Sequence, residues 1–121
     1  GLPFIYVRSD AKAHGMGNQV EGFYEKGQKV VVIEDLISTG GSSLKAIEAL
    51  RSEGLDVRGL IAIFTYGFKV ADENFKKAQC PYVTLTNYDF LIEQALKEKY
   101  VTSEDLISLR EWKDQPENWG K

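Results

Sequence analysis

Apolar positions in this chain fall into short runs separated by longer amphipathic segments, and the alternation itself predicts the elements. "PFIYV" (Pro3 to Val7) reads as a short apolar strand. From Arg8 to Gly22 no face is consistently apolar, and the glycines and polar residues there predict an exposed, mobile loop. "QKVVVIE" (Gln28 to Glu34) is a continuous β-branched run, the pattern of a strand buried on both faces of a parallel sheet. In "SSLKAIEALRSEG" the apolar Leu44, Ile47 and Leu50 stand three apart beside Ala46 and Ala49, which makes a helix, and Gly54 occupies the position that ends one.

The same alternation continues. "VRGLIAIFTYG" predicts a second buried strand, "VADENFKKAQ" a short helix and "PYVTLT" a third strand. Asn87 or Asp89 is placed to cap a helix over "FLIEQALKEKY", and Thr102 with Asp105 has the spacing of a capping box ahead of "LISLREW". The tail from Lys113 to Lys121 contains Pro116 and no periodicity, and is expected to be loose. Strands alternating with helices imply an α/β fold with a parallel sheet and flanking helices. At 121 residues, residues 1–121 make one domain. The chain enters a strand at once, without an initiator Met, so a piece of a longer protein is expected.

Charge and composition narrow the chemistry. The formal net charge is -3 and no run of Lys or Arg forms a basic stripe, which argues against nucleic acid as a partner. The apolar runs are too short to span a bilayer and no signal peptide is visible, so no membrane partner is expected and a cytoplasmic location is. One cysteine, Cys80, and one histidine, His14, exclude an intrachain disulfide and a multi-Cys or His-rich metal site. Cys80 reads as a small buried side chain.

The candidate chemistry sits where the β-branched run ends, in "IEDLISTGGSS" (33–43). The C-terminal end of a parallel strand faces the crevice where α/β proteins bind ligands, and the following helix offers free N–H groups and a positive dipole end. Gly40 and Gly41 admit a close backbone approach and positive φ, and Ser38, Thr39, Ser42 and Ser43 add hydroxyl donors. A phosphomonoester suits this loop. No Lys follows the glycines and no GxGxxG occurs, so the triphosphatase and dinucleotide patterns are not met. Glu34 and Asp35 would repel an anion unless they accept hydrogen bonds from hydroxyls or share a cation, requirements that a sugar phosphate with a free diol and Mg²⁺ satisfies. An acid pair and a turn can also simply end a strand; the whole unit of apolar run, acids, small-residue loop and amphipathic helix is what favours the phosphate reading.

"VVVIEDLISTGGS" (30–42) resembles the phosphoribosyl pyrophosphate (PRPP) motif of type I phosphoribosyltransferases. The resemblance implies a partial core of that family's fold with a flexible loop. It places Glu34 and Asp35 on the ribose hydroxyls and Ser38, Thr39, Gly40, Gly41 and Ser42 on the 5′-phosphate, with Leu36 and Ile37 within the same PRPP-binding motif. "RSDAKAHGMGNQVEG" (8–22) resembles the mobile catalytic loop of the orotate phosphoribosyltransferases, which carries an Arg followed by Lys-x-His-Gly. On that resemblance Arg8, Lys12 and His14 bind PRPP, Lys12, His14 and Asp35 are the catalytic residues, and Ser38 touches orotate. The implied reaction transfers the phosphoribosyl group from PRPP to orotate, giving orotidine 5′-monophosphate and pyrophosphate in pyrimidine synthesis.

The physics suits such a loop: charge builds on departing pyrophosphate, and aimed donors stabilise it, Lys12 as a compact charge, Arg8 as a fork and His14 as a proton donor near neutral pH. Loop closure on its glycines excludes water. The resemblance further implies Mg²⁺ carried mainly by PRPP, with Glu34 or Asp35 assisting and no direct protein metal site, and a homodimer that shares the loop across subunits. Ser9 stands where many members have Lys, and "FTYGF" lacks the arginine that some carry after that strand. The match corresponds to the C-terminal portion of the family fold, so little or no turnover is expected from these residues alone. The alternatives are transfer to another base, a PRPP-sensing regulator, and a non-catalytic ribose-phosphate-binding module.

Overall fold

The computed structural model describes residues 2–8 and 19–119. Three strands form the sheet that organises the chain: β3 (Lys29–Ile37), β4 (Asp56–Thr65) and β5 (Tyr82–Asn87), all parallel and in the order β3-β4-β5. The β-branched run is thus a strand that continues three residues past Glu34, and it carries Glu34 and Asp35 near its C-terminal end. Between β3 and β4 lies α1 (Gly41–Ser52), and between β4 and β5 lies α2 (Lys69–Lys77). Such crossovers are what parallel neighbours require, because a tight hairpin cannot join them.

Both crossover helices bury against one face of the sheet. Ile47 and Leu50 of α1 and Ala71 and Phe75 of α2 meet Val57, Leu60 and Ala62 of β4 in a single core. Each fully buried Val, Leu, Ile or Phe side chain there contributes about 1.5–3 kcal/mol by leaving water. Gly54, at φ 82, ends α1 as its position suggested: its N–H donates to Arg51 O, and the next N–H, of Leu55, donates to Leu50 O.

The opposite face of the sheet differs from expectation. β3 and β4 are not buried on both sides: along β3, Val31 and Ile33 are exposed while Val30 and Val32 pack against the core. The run is uniformly apolar, yet among the described residues nothing packs over that side.

The N-terminal strand is also smaller than "PFIYV" suggested. β1 (Tyr6–Val7) pairs antiparallel with β2 (Val20–Glu21), separate from the parallel sheet. The downstream end of the polar segment is therefore not loop. Val20 is a core residue, and a single buried side chain in a two-residue strand leaves no periodicity to read.

Two further helices, α3 (Tyr88–Lys97) and α4 (Ser103–Asp114), follow β5. Asn87 caps α3 by accepting from Phe90 N–H at 3.0 Å, and Thr102 and Asp105 form the reciprocal capping box of α4. Tyr88 Oη donates to Leu109 O at 3.0 Å, and Lys113 Nζ lies 2.8 Å from Asp89 Oδ2, so the first turn of α3 is tied to the second half of α4. Trp112 packs among Tyr66, Phe68 and Tyr88, with ring centroids 5.3–5.7 Å away. The segment after Lys113 is less loose than expected: α4 continues through Asp114, and the Trp119 indole N–H donates to Ser108. Among the described residues no helix is long and apolar enough to cross a membrane.

Candidate functional site

At the C-terminal end of β3 the chain delivers two adjacent carboxylates, Glu34 and Asp35. Glu34 is half-buried toward α1, and Asp35 is exposed. Ser43 Oγ donates to Glu34 Oε2 at 3.0 Å, and the Asp35 N–H donates to Glu34 Oε1 at 3.2 Å. Burial is the main cause that raises the Glu34 carboxyl above its ordinary value, and the side-chain hydrogen bond with Asp35 adds to it; the Ser43 donor pulls the other way.

This contact corrects part of the loop reading. Ser43 is buried and its hydroxyl is spent on Glu34, so it braces the acid from the first turn of α1 and is not a donor to an incoming anion.

Between Asp35 and α1 the loop is fixed from three sides. Ile37 is buried and its carbonyl accepts from Tyr66 N–H at 3.1 Å, which locks the loop's entry to the end of β4. Asn74 of α2 donates from Nδ2 to Thr39 O at 2.9 Å, across 35 residues of sequence. Gly40 takes φ 88, and a Cβ placed there would stand 3.1 Å from Phe75 Cε2. Glycine is therefore demanded at this position twice, by backbone angle and by space. Gly41 does not share the requirement: it is the first residue of α1, and positive φ belongs to Gly40 alone of the pair.

The helix start that results is open. Gly40 provides no side-chain cap, no acidic residue lies in the first turn, and the Gly41 N–H donates only weakly to Thr39 Oγ1 at 3.3 Å. Helix N-termini of this kind present unsatisfied N–H groups and about half a positive charge, which suits an anion of phosphate size. Ser38 and Thr39 are exposed beside it, as is Ser42. The structure thus brings Asp35, Ser38, Thr39, Gly40, Gly41 and Ser42 to one corner, with Glu34 braced behind. Ile37 reaches that corner with its backbone only, and Leu36 is an exposed strand residue.

Arg8 sits apart, at the mouth of the β1–β2 ribbon. Its N–H donates to Gln19 O at 2.7 Å, and its guanidinium lies 2.9 Å from Glu21 Oε1. Ser9, Lys12 and His14 lie outside the described residues. Among the described residues no three His, Cys, Asp or Glu side chains converge on a point that could hold a metal.

Asn74 is the site residue that sequence reasoning missed. It is a polar residue on a polar helix, and nothing in its neighbours signals a bond to a loop so far upstream. The same holds for the aromatic group of Phe64, Phe68, Tyr88 and Trp112, which packs around the ring of Tyr66, the residue whose N–H donates to Ile37 O.

Relatives carry the same region. Residues 1–99 match the phosphoribosyl transferase domain family. The orotate phosphoribosyltransferase of Listeria monocytogenes serotype 4b is 63% identical over 120 residues, covering 99% of this chain and 57% of the relative. Among solved structures, the UMP synthase of Leishmania donovani superposes with a TM-score of 0.76 at 31% identity, over 92% of this chain and 24% of that one. The orotate phosphoribosyltransferase of Aeropyrum pernix does so with a TM-score of 0.68 at 34% identity, over 83% of this chain and 54% of that one. The chain spans 57% of the length of the curated Listeria relative. With a parallel sheet, an acid pair at a strand end and an uncapped glycine-led helix in the matched region, the chain belongs to the phosphoribosyl transferase domain family.

Proposed function

We propose that this chain is the PRPP-binding portion of an orotate phosphoribosyltransferase. The observation that carries the reading is the corner itself: an uncapped helix start led by Gly40, with no acid in its first turn, directly after two carboxylates on the strand that feeds it. The N–H groups of Gly41 and Ser42 and the hydroxyls of Ser38, Thr39 and Ser42 take the 5′-phosphate. Asp35, exposed, accepts from the ribose hydroxyls, and Glu34, held by Ser43, completes the pair. The names of the relatives at high identity support orotate as the base, with Ser38 at the base side of the corner.

In the reaction, the bond from ribose C1 to the pyrophosphate oxygen breaks with its electron pair on the leaving group, and a ring nitrogen of orotate bonds to C1 as its proton passes to the departing pyrophosphate. Lys12, His14 and Arg8 are the donors assigned to the leaving oxygens, where developing negative charge makes such contacts worth most. Asp35 stabilises the positive character that grows at the ribosyl centre. Mg²⁺, carried on PRPP with Asp35 or Glu34 assisting, would neutralise pyrophosphate charge. A cytoplasmic homodimer sharing the 8–22 loop across subunits is part of the same reading.

Calorimetric titration with PRPP, with and without Mg²⁺ and then with orotate, tests it. Mg²⁺-assisted PRPP binding that is lost in Asp35→Asn is the expected result. No heat with PRPP or ribose 5-phosphate at millimolar concentration would overturn the proposal. Lys12→Ala separates an enzyme from a binding module: in an enzyme it lowers turnover far more than PRPP affinity.

A further inference from the structure

The β1–β2 ribbon sets a carboxylate against one of the cations assigned above to the leaving group. Its register pairs Tyr6 with Glu21 and Val7 with Val20, and the next step along it is the bond from Arg8 N–H to Gln19 O at 2.7 Å. Arg8 therefore stands opposite Gln19 and on the diagonal from Glu21, a separation that long side chains span. The guanidinium spans it: Arg8 Nη2 lies 2.9 Å from Glu21 Oε1, and both side chains are 39% exposed. Val20, the residue before Glu21, is buried in the core, and Val7 packs against that core. Glu21 is thus a carboxylate on an anchored strand, and Arg8 brings a long, adaptable side chain to it.

The arrangement does not serve the guanidinium fully. Arg8 Nε is buried and finds no hydrogen-bond partner among the described residues, and a desolvated, unpaired donor on a cation is unfavourable. An oxyanion that offers two acceptors to the planar fork satisfies more of its donors at once. Charge gives the direction of the effect. A carboxylate 2.9 Å from the guanidinium offsets its positive charge and repels any anion that approaches it.

We propose that Glu21 is a positioning residue that competes with pyrophosphate oxygens for Arg8, holding down the affinity for PRPP and pyrophosphate and giving the guanidinium a partner when pyrophosphate departs. The inference rests on the reading in which Arg8 meets the leaving oxygens. Its physical sense is in the return step: product release limits many enzymes, and an arginine with a second acceptor on its own ribbon gives up an anion without being left bare.

Calorimetric titration of the parent chain and of Glu21→Gln with PRPP, with pyrophosphate and with ribose 5-phosphate, each in the presence of Mg²⁺, tests it. The expected result is that Glu21→Gln binds PRPP and pyrophosphate about two- to fivefold more tightly, the range that an ion pair of this exposure can hold back. Binding of ribose 5-phosphate should not change, because it has no pyrophosphate for Arg8 to meet; a merely structural role for the pair would move all three ligands together. Glu21→Thr keeps a strand-forming residue and should repeat the gain, so a folding defect in the Gln variant does not decide the matter. With Arg8→Ala as the background, Glu21→Gln should have no effect. PRPP affinity that is unchanged or weaker in both Glu21 variants would overturn the inference, as would an equal gain for ribose 5-phosphate or a gain that survives Arg8→Ala. Arg8→Ala that leaves PRPP and pyrophosphate affinity at the parent value would remove Arg8 from the leaving group and the inference with it, while ribose 5-phosphate binding kept the phosphate corner standing. A parent chain that binds none of the three ligands would overturn the PRPP reading as a whole, and the role of Glu21 along with it.

Discussion

Replacing Gly40 with alanine separates two physical demands that coincide in the loop between β3 and α1. The first is conformational: φ is 88 at Gly40, and a residue with a Cβ loses about 1–2 kcal/mol in that region, offset by about 0.4–1 kcal/mol because alanine stiffens the unfolded chain. The second is steric. The new methyl would stand 3.1 Å from Phe75 Cε2, and Phe75 has little room to retreat: it is 1% exposed, and its ring stacks on Tyr82 at 4.4 Å between centroids. Overpacking of this kind costs about 1–3 kcal/mol, so Gly40→Ala should destabilise by about 2–3 kcal/mol in all. Gly27 provides the control, with φ 85 and nothing within 4 Å of its would-be Cβ. Gly27→Ala should therefore register only the conformational part, about 0.5–1 kcal/mol. Urea unfolding followed by circular dichroism reads both, and with m near 1–3 kcal/mol/M the Gly40 variant should unfold about 1 M earlier. A double-mutant cycle with Phe75→Leu should show coupling, because the smaller side chain relieves the contact while costing stability itself. Equal midpoint shifts for the Gly40 and Gly27 variants, or no coupling to Phe75, would refute the steric half of the argument.

Asn74→Ala removes the donor to Thr39 O, and should cost about 1 kcal/mol in urea unfolding while weakening ribose 5-phosphate binding in calorimetry. Thr102→Ala deletes the α4 cap and should lower stability by about 1 kcal/mol at neutral pH. Asp105, its partner in the box, has a carboxyl held below its ordinary value by the Thr102 N–H, so its contribution is present above about pH 4 and fades as pH falls through the depressed value; Asp105→Asn should match the parent in acid and fall behind at pH 7. Glu34 behaves oppositely. Its raised carboxyl binds a proton more readily in the folded chain, so stability declines as pH climbs from the ordinary value of 4.5 through the raised one. Glu34→Gln should flatten that segment of a stability-versus-pH profile, and an unchanged slope would show that burial of Glu34 does not raise its carboxyl.

The corner depends on supports that differ in kind. Ser43 and Asn74 hold it by hydrogen bonds from two helices, Phe75 by filling the space behind Gly40, and Tyr66 by pinning Ile37 to the next strand. An anion held there would meet N–H groups already oriented, so little loop ordering is left for binding to supply. Cys80 takes no part. It is buried behind α2, where desolvation pushes its thiol up, away from the reactive thiolate.

The local rules written in the chain were enough to order the three parallel strands and the helices between and after them, to narrow the α3 cap to Asn87 or Asp89, to place Thr102 as a cap and Gly54 as a stop, and to put a tight small-residue loop between Glu34–Asp35 and a helix start. These features depend on residues within a few positions of one another, where periodicity, φ preference and hydrogen-bonding side chains act directly. Other features were decided only by packing. That Ser43 serves Glu34, that Gly40 rather than Gly41 carries the strained angle, and that Asn74 holds Thr39 follow from how α1 and α2 lie on the sheet. The open face of β3, β4 and β5 is the clearest case. An apolar run records that a side chain is suited to burial, whereas the presence of a covering partner is a property of distant chain, and only the tertiary arrangement shows which face has one.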